Sequence, residues 1–168
     1  MIVFLDLETT GLNYHGNDEF VQIGIVDENG EVLLNSLSRP VNHKDWSAAE
    51  AVHSISPEMT KDAPTNKELS ETIKNIIRDK EVIIYNLEYD VEFILDEIAV
   101  AKSAKCCMKP FAELYGEWND YHGNYKWQKL ETAARYVAHN WDGNAHDAAA
   151  DCQATRSVWN YMKSIGKI

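Results

Sequence analysis

Positive charge is nearly missing from the first quarter of this chain: between Met1 and Lys44 the sole lysine or arginine is Arg39. No apolar run approaches the ~18 residues that a membrane-spanning helix needs. The residues after Met1 turn acidic at Asp6, without the basic start and small-residue cleavage site of a signal peptide. Cysteine is scarce as well. Cys106, Cys107 and Cys152 are odd in number, two are adjacent, and no CxxC pair exists, which argues against a disulfide framework and a cysteine zinc site. Reduced thiols, a cytoplasmic location and no membrane attachment are the expectation. With 168 residues, 45% of them hydrophobic, the chain fits one domain spanning 1–168.

Carboxylates are plentiful. The formal net charge is −11, which argues against a protein that coats nucleic acid by bulk electrostatics. It leaves room for an enzyme that grips a short stretch of nucleic acid through metal ions and a local patch. It also leaves room for an acidic mimic that occupies a basic partner.

Apolar runs at Ile2–Leu7, Phe20–Val26, Val32–Leu37 and Glu81–Tyr85 read as strands. Asn29-Gly30, set between the second and third runs, predicts an antiparallel hairpin. Helical spacing predicts helices over 46–52, from Pro57, over 66–79 with Thr65 or Asn66 as cap, over 89–102, and near 110–116, 127–138 and 147–164. The segment Gly116–Lys126 reads as a polar but aromatic loop. This order predicts an α/β structure in layers, a mixed sheet with helices on both faces.

The stretch FLDLETTGL, Phe4 to Leu12, places Asp6 and Glu8 two residues apart on a core strand. Residues i and i+2 of a strand share a face, so the two charges repel and burial penalises both. With no cation nearby in the sequence, a divalent metal is the simplest counter-charge, and oxygen ligands favour Mg²⁺ or Mn²⁺. Asp90 follows the fourth strand where a helix begins, a place that suits an acid without any metal. Asp147 and Asp151, at i and i+4, share one helix face, and position alone does not choose between them. His146 is five residues from Asp151, about 140° round a regular helix. It reaches the same site only from a preceding loop, which Asp142-Gly143-Asn144 would supply.

Three segments together resemble a family. DLETTG at 6–11, YNLEYD at 85–90 and HDAAAD at 146–151 are similar, in order, to the three motifs of the DnaQ-like DEDDh 3′→5′ exonucleases. HSISPEM at 53–59 resembles their connecting segment, and KWQKLETAARY at 126–136 is most similar to the exonuclease X group. The second motif departs from the common pattern: Tyr85-Asn86 stands for His-Asn, Tyr89 for Phe, and Glu88 adds an acid.

The resemblance implies a ribonuclease H-like, three-layer α/β/α fold with a mixed central sheet. It implies two Mg²⁺ or Mn²⁺ ions held by Asp6, Glu8, Asp90 and Asp151, with His146 as general base and Asp147 left as a helix-start acid. It implies a nucleic acid with a free 3′ end as partner, DNA ahead of RNA and single strands ahead of duplex. Thr9 and Thr10 would hold the terminal nucleotide through backbone or hydroxyl, Leu12 would wedge against its base, and Asn86 would contact substrate. An ordinary core leucine is the competing reading of Leu12. Trp118, Tyr121, Tyr125 and Trp127 are candidates for stacking on unpaired bases, with core packing the rival for Trp127. Lys102, Lys105, Lys109, Lys126 and Lys129 are candidates for a basic track, or a merely solvated face. An exoribonuclease or oligonucleotide-degrading enzyme, and an inactive binding module, remain the alternatives. Oligomeric state is open.

Overall fold

The computed structural model describes residues 1–141 and 146–168. The chain runs β1 (Ile2–Thr9), β2 (Phe20–Asp27), β3 (Val32–Leu37), α1 (Ser47–His53), α2 (Pro57–Thr60), α3 (Asn66–Ile77) and β4 (Glu81–Ile84). It continues through α4 (Leu87–Asp90), α5 (Leu95–Ile98), β5 (Ser103–Cys106), α6 (Met108–Tyr115), β6 (Trp118–Asn119), β7 (Asn124–Tyr125), α7 (Leu130–Tyr136) and α8 (Ala148–Ser164).

β1 is central because it is apolar on both faces. The five-stranded sheet has the order β3-β2-β1-β4-β5. β1 pairs antiparallel with β2 and parallel with β4, and β4 pairs parallel with β5. The predicted hairpin of β2 and β3 forms, with Gly30 at φ 95° in its turn. Thr65 caps α3 in a reciprocal box with Glu68, which accounts for the sharp start of that helix.

Alternation along β1 assigns its side chains to two cores. Val3, Leu5 and Leu7 pack against Leu69, Ile73 and Ile77 of α3. Phe4 packs with Phe111 of α6, Ala133 of α7 and Val158 and Met162 of α8. Asp6 and Glu8 follow Phe4 on the α8 side. Gly24, the partner of Asp6 in register, is what lets α8 approach: a Cβ there would lie 2.5 Å from the Ala148 backbone. The end of α8 that carries Asp151 therefore rests directly on the sheet beside the acids.

Several elements differ from the sequence expectation. The helix expected over 89–102 is broken into α4, a 3₁₀ turn at Val91–Phe93 and α5. Ile94, fully buried with φ −137°, interrupts the helical path to reach the α3 core. The strand β5 has no counterpart in that expectation, because four residues reading SAKC give too short and too polar a signal. Part of the aromatic loop is a hairpin, β6 paired with β7. The last helices begin at Met108, Leu130 and Ala148. The loop expected at Asp142-Gly143-Asn144 lies outside the described residues. Among the described residues no helix is long and apolar enough to cross a membrane.

Candidate active site

The parallel pairing of β1 with β4 stops at Phe4 and Ile83, and the two strands then part. A cleft of about 590 Å³ opens there, at the carboxyl ends of both strands, where ligands collect in open α/β sheets. Asp6, Glu8, Asp90, Asp151 and His146 all line it. Three distant segments of chain thus deliver their acids to one place.

Two of the acids, Asp90 and Asp151, are held by backbone N–H groups. Beyond Phe4 the free edge of β1 offers its N–H groups, and that of Leu7 donates to the Asp90 carboxylate, as does the N–H of Asp90 itself. His146 stands just before α8 with φ 66°, a left-handed conformation that a non-glycine residue rarely adopts. The bend turns its N–H towards Asp151 Oδ1, 3.3 Å away. His146 thus doubles back over the helix start, as the five-residue spacing required. Asp147 plays a different part. It caps α8 through Ala150 N–H and accepts from Gln22 Nε2 at 2.9 Å. Buried Gln22 also accepts from Ala148 N–H, so it clamps the start of α8 to the sheet.

The acids repel one another. Burial first, then the charges of Asp151, Asp90, Glu8 and Asp147, raise Asp6 well above the usual carboxylate range. Burial and the charges of Asp151, Asp90 and Asp147 push Glu8 up to about 8. Burial pushes Asp90 up to about 8 against the opposing backbone hydrogen bonds. Asp151 rises to about 6, burial again leading, with His146 acting in the opposite sense. Among the described residues no lysine or arginine pairs with any of the four. A cluster of this kind fits divalent cations, and one ligand atom each from Glu8, His146 and Asp151 lies within 4.8 Å of the others.

Glu131 of α7 also lines the cleft, and its Oε1 lies 3.3 Å from His146 Nε2. Sequence reasoning misses it, because a carboxylate in the first turn of a helix is ordinary by itself. His53, in the connecting segment, is buried. Its Nδ1 accepts from Ile55 N–H at 3.0 Å, so Nε2 carries the proton and donates to the Thr9 carbonyl at 3.1 Å.

Beside the acids, the loop after β1 is tightly laced. Tyr89 Oη donates to the Gly11 carbonyl at 2.8 Å and lies 2.6 Å from Thr9 Oγ1. Thr10 Oγ1 donates to Asp18 Oδ1 at 2.8 Å. Both threonine hydroxyls are therefore engaged within the protein, as are the Thr9 carbonyl, by His53, and the Thr10 N–H, which donates to the Glu19 carbonyl at 2.9 Å. Leu12 is 85% exposed at the rim of the cleft, so it is not a core leucine. Asn86 lines the cleft beside Tyr89.

The aromatic segment is open to solvent too. Trp127 is half exposed at the cleft rim with Lys109 Nζ 5.9 Å from its ring centroid, so the core reading of Trp127 does not hold. The basic track is largely spent on ion pairs: Lys105 with Glu81, Lys109 with Glu88 and Lys126 with Glu117. Lys129 remains at the cleft rim.

Known proteins share this sequence pattern and architecture. The model of the exonuclease family RNase_T matches residues 3–158. The uncharacterized exonuclease CP81 of Escherichia phage 186 is 33% identical over 98% of this chain and 89% of its own. The DNA polymerase III subunit epsilon of Rickettsia felis is 29% identical over 61% of this chain and 46% of its own, so the chain spans less than half of that relative. Among solved structures, exonuclease X in complex with 5′ overhanging duplex DNA superposes with a TM-score of 0.71 at 21% identity, covering 99% of this chain and 93% of that one. The nuclease domain of 3′hExo, a DEDDh family member bound to rAMP, gives a TM-score of 0.70 at 13% identity, covering 98% and 92%. Motifs, fold and family match agree, and the chain belongs to the RNase_T exonuclease family, the DnaQ-like DEDDh nucleases of the ribonuclease H-like fold.

Proposed function

We propose that this single domain is a 3′→5′ exonuclease that removes nucleoside 5′-monophosphates from the 3′ end of DNA, single strands ahead of duplex. The observation that carries the reading is the convergence of Asp6, Glu8, Asp90 and Asp151 in one cleft without a lysine or arginine partner among the described residues. Four repelling acids at a strand's end are a costly arrangement unless cations occupy it. A polymerase subunit and a nuclease bound to duplex DNA among the relatives speak for DNA, while 3′hExo bound to rAMP keeps RNA as the alternative. The three free thiols support a cytoplasmic setting.

The acids would hold two Mg²⁺ or Mn²⁺ ions. When bound, such ions supply Lewis-acid stabilisation of the charge at phosphorus and of the leaving oxygen. The chain's own residues do the rest. His146 takes a proton from the attacking water on its imidazole nitrogen. Its N–H fixes Asp151 while its ring faces the cleft. The turn at Thr9 and Thr10, held rigid by Tyr89 and His53, positions the terminal nucleotide through backbone or hydroxyl; Leu12 lies against its base, and Asn86 contacts the substrate.

The test is digestion of single-stranded DNA, single-stranded RNA and blunt duplex DNA, each labelled at the 5′ or the 3′ end. Reactions are run with Mg²⁺, Mn²⁺ or EDTA and products are sized on a gel. The expected result is metal-dependent release of the 3′ label as a mononucleotide, fastest from single-stranded DNA. Faster loss from RNA would replace the DNA reading with an exoribonuclease. No cleavage with either metal would overturn the enzyme.

A further inference from the structure

Trp127 at the cleft rim and the β6–β7 hairpin that precedes it carry aromatic rings open to solvent. Trp118 is 53% exposed, Tyr121 90% and Trp127 50%. Three exposed aromatic side chains within ten residues are the material of a binding face. The segment is nonetheless well fixed. Trp118 and Tyr125 pack edge to face across the hairpin at 5.1 Å. Lys126 N–H donates to the Glu117 carbonyl at 2.8 Å, and Gln128 Nε2 donates to Glu117 Oε2 at 3.1 Å. The base of the hairpin is tied to the end of β4, because Tyr85 Oη donates to the Gln128 carbonyl at 2.8 Å. At the tip, Asn119 Oδ1 accepts from Tyr121 and His122 N–H groups, and among the described rings Tyr121 touches only the neighbouring imidazole.

We propose that the β6–β7 hairpin is a stacking arm for the unpaired nucleotides upstream of the bond being cut. This rests on the reading of the cleft as an exonuclease site. Trp127 lines the catalytic cleft and also an adjoining cavity of about 290 Å³ between the hairpin and α6, so a strand leaving the acids crosses Trp127 to reach Tyr125. Cations along this path are few: Lys109 over Trp127 is shared with Glu88, and Lys126 is paired with Glu117. In a chain of net charge −11, attraction to phosphate is a poor source of grip, whereas ring-on-base stacking works with any base. Bases within a duplex are already stacked on their neighbours, so the arm selects unpaired strands. It adds grip in proportion to the length of single strand that reaches it.

The experiment measures binding and cleavage separately, using the intact chain and its Tyr121→Ala, Trp118→Ala and Trp118→Phe variants. Affinity for a fluorescent oligothymidylate is read by anisotropy in Ca²⁺, at low and moderate salt. Activity is read as the ratio of kcat/KM for that oligonucleotide to kcat/KM for the p-nitrophenyl ester of thymidine 5′-monophosphate. The expected result is a fall of about five-fold or more in both affinity and ratio for each alanine variant. The fall should be similar at both salt concentrations, and Trp118→Phe should restore most of the affinity. Unchanged affinity in Tyr121→Ala and Trp118→Ala would overturn the arm, and so would an equal loss on the small ester. If binding falls as expected while the wild-type chain cleaves neither substrate, the arm stands and the exonuclease reading fails.

Discussion

Gly24 meets Ala148 backbone to backbone, so closely that a Cβ on Gly24 would stand 2.5 Å from the Ala148 carbonyl oxygen. The contact seats the start of α8 on the strand that pairs with the Asp6 strand, and it sets how far Asp151 is from Asp6. Gly24→Ala therefore tests the geometry of the cluster without touching a carboxylate. The helix must retreat from the sheet, which as overpacking costs about 1–3 kcal/mol. Urea unfolding should report that loss, and exonuclease activity should fall by more than the small residual unfolded population explains. Wild-type stability together with wild-type activity would show that α8 docks by other contacts.

The acids also predict how metal-free stability responds to pH. Glu8 and Asp90 are pushed up to about 8, Asp151 to about 6, and Asp6 is raised as well. Between about pH 4, where free carboxylates titrate, and pH 8, the folded state holds protons that the unfolded chain has released. The native state then binds more protons than the unfolded one, so stability falls as pH rises through this window. In EDTA the melting temperature should decline from pH 5 to pH 8. Mn²⁺ takes over the role of those protons and should raise the melting temperature more at pH 8 than at pH 5. A flat or rising profile in EDTA would mean that the acids do not repel as their burial implies.

Glu131 and His146 form a second testable pair, 3.3 Å apart from Oε1 to Nε2. A carboxylate in that position orients the ring of the residue proposed above as the base. His146→Ala should lose about 10²- to 10⁴-fold in kcat. Glu131→Gln should lose about ten-fold, the lower end of what removing an orienting partner costs. Neither should weaken KM for the oligonucleotide much. A Glu131→Gln enzyme with normal kcat and raised KM would move Glu131 from orienting His146 to holding substrate.

The pairing of Asp6 with Glu8 is legible in residue order because its cause is local, whereas Asp90, and Asp151 rather than Asp147, follow only from the family resemblance. Two carboxylates at period two on an apolar strand must face the same way, and a histidine five residues ahead of an aspartate must bend back to reach it. The contacts that aim the cluster are hidden because they join distant segments. Gly24 looks like any strand glycine until α8 is laid across it, and Gln22 looks like a surface residue until Asp147 and Ala148 arrive beside it. The spacing of Phe93, Ile94, Ile98 and Ala101 is helical, but the chain breaks at Ile94 because core packing outweighs the period. The hairpin leaves no mark on the sequence because its ladder is two residues long on each strand, too short for any alternation to register.

Tyr89 is where the chain departs from the usual phenylalanine of its second motif, and its hydroxyl is bonded on both sides. It donates to the Gly11 carbonyl at 2.8 Å and meets Thr9 Oγ1 at 2.6 Å. Burial pushes this phenol up to about 12, against the hydrogen bond from Thr9, so it stays protonated throughout the working range. Its ring packs on Phe93 at 5.2 Å, a contact that phenylalanine would keep. Tyr89→Phe therefore removes the hydroxyl alone. The expected loss in stability is about 1 kcal/mol, the net value of such a hydrogen bond. The larger effect should fall on the loop from Thr9 to Leu12, which loses its tie to α4 and must be ordered by the substrate instead. KM for single-stranded DNA should rise several-fold while kcat stays within about two-fold, since no group that moves a proton or holds a cation has changed. A collapse of kcat at constant KM would place the hydroxyl in the chemistry, and unchanged values of both would make the tie dispensable.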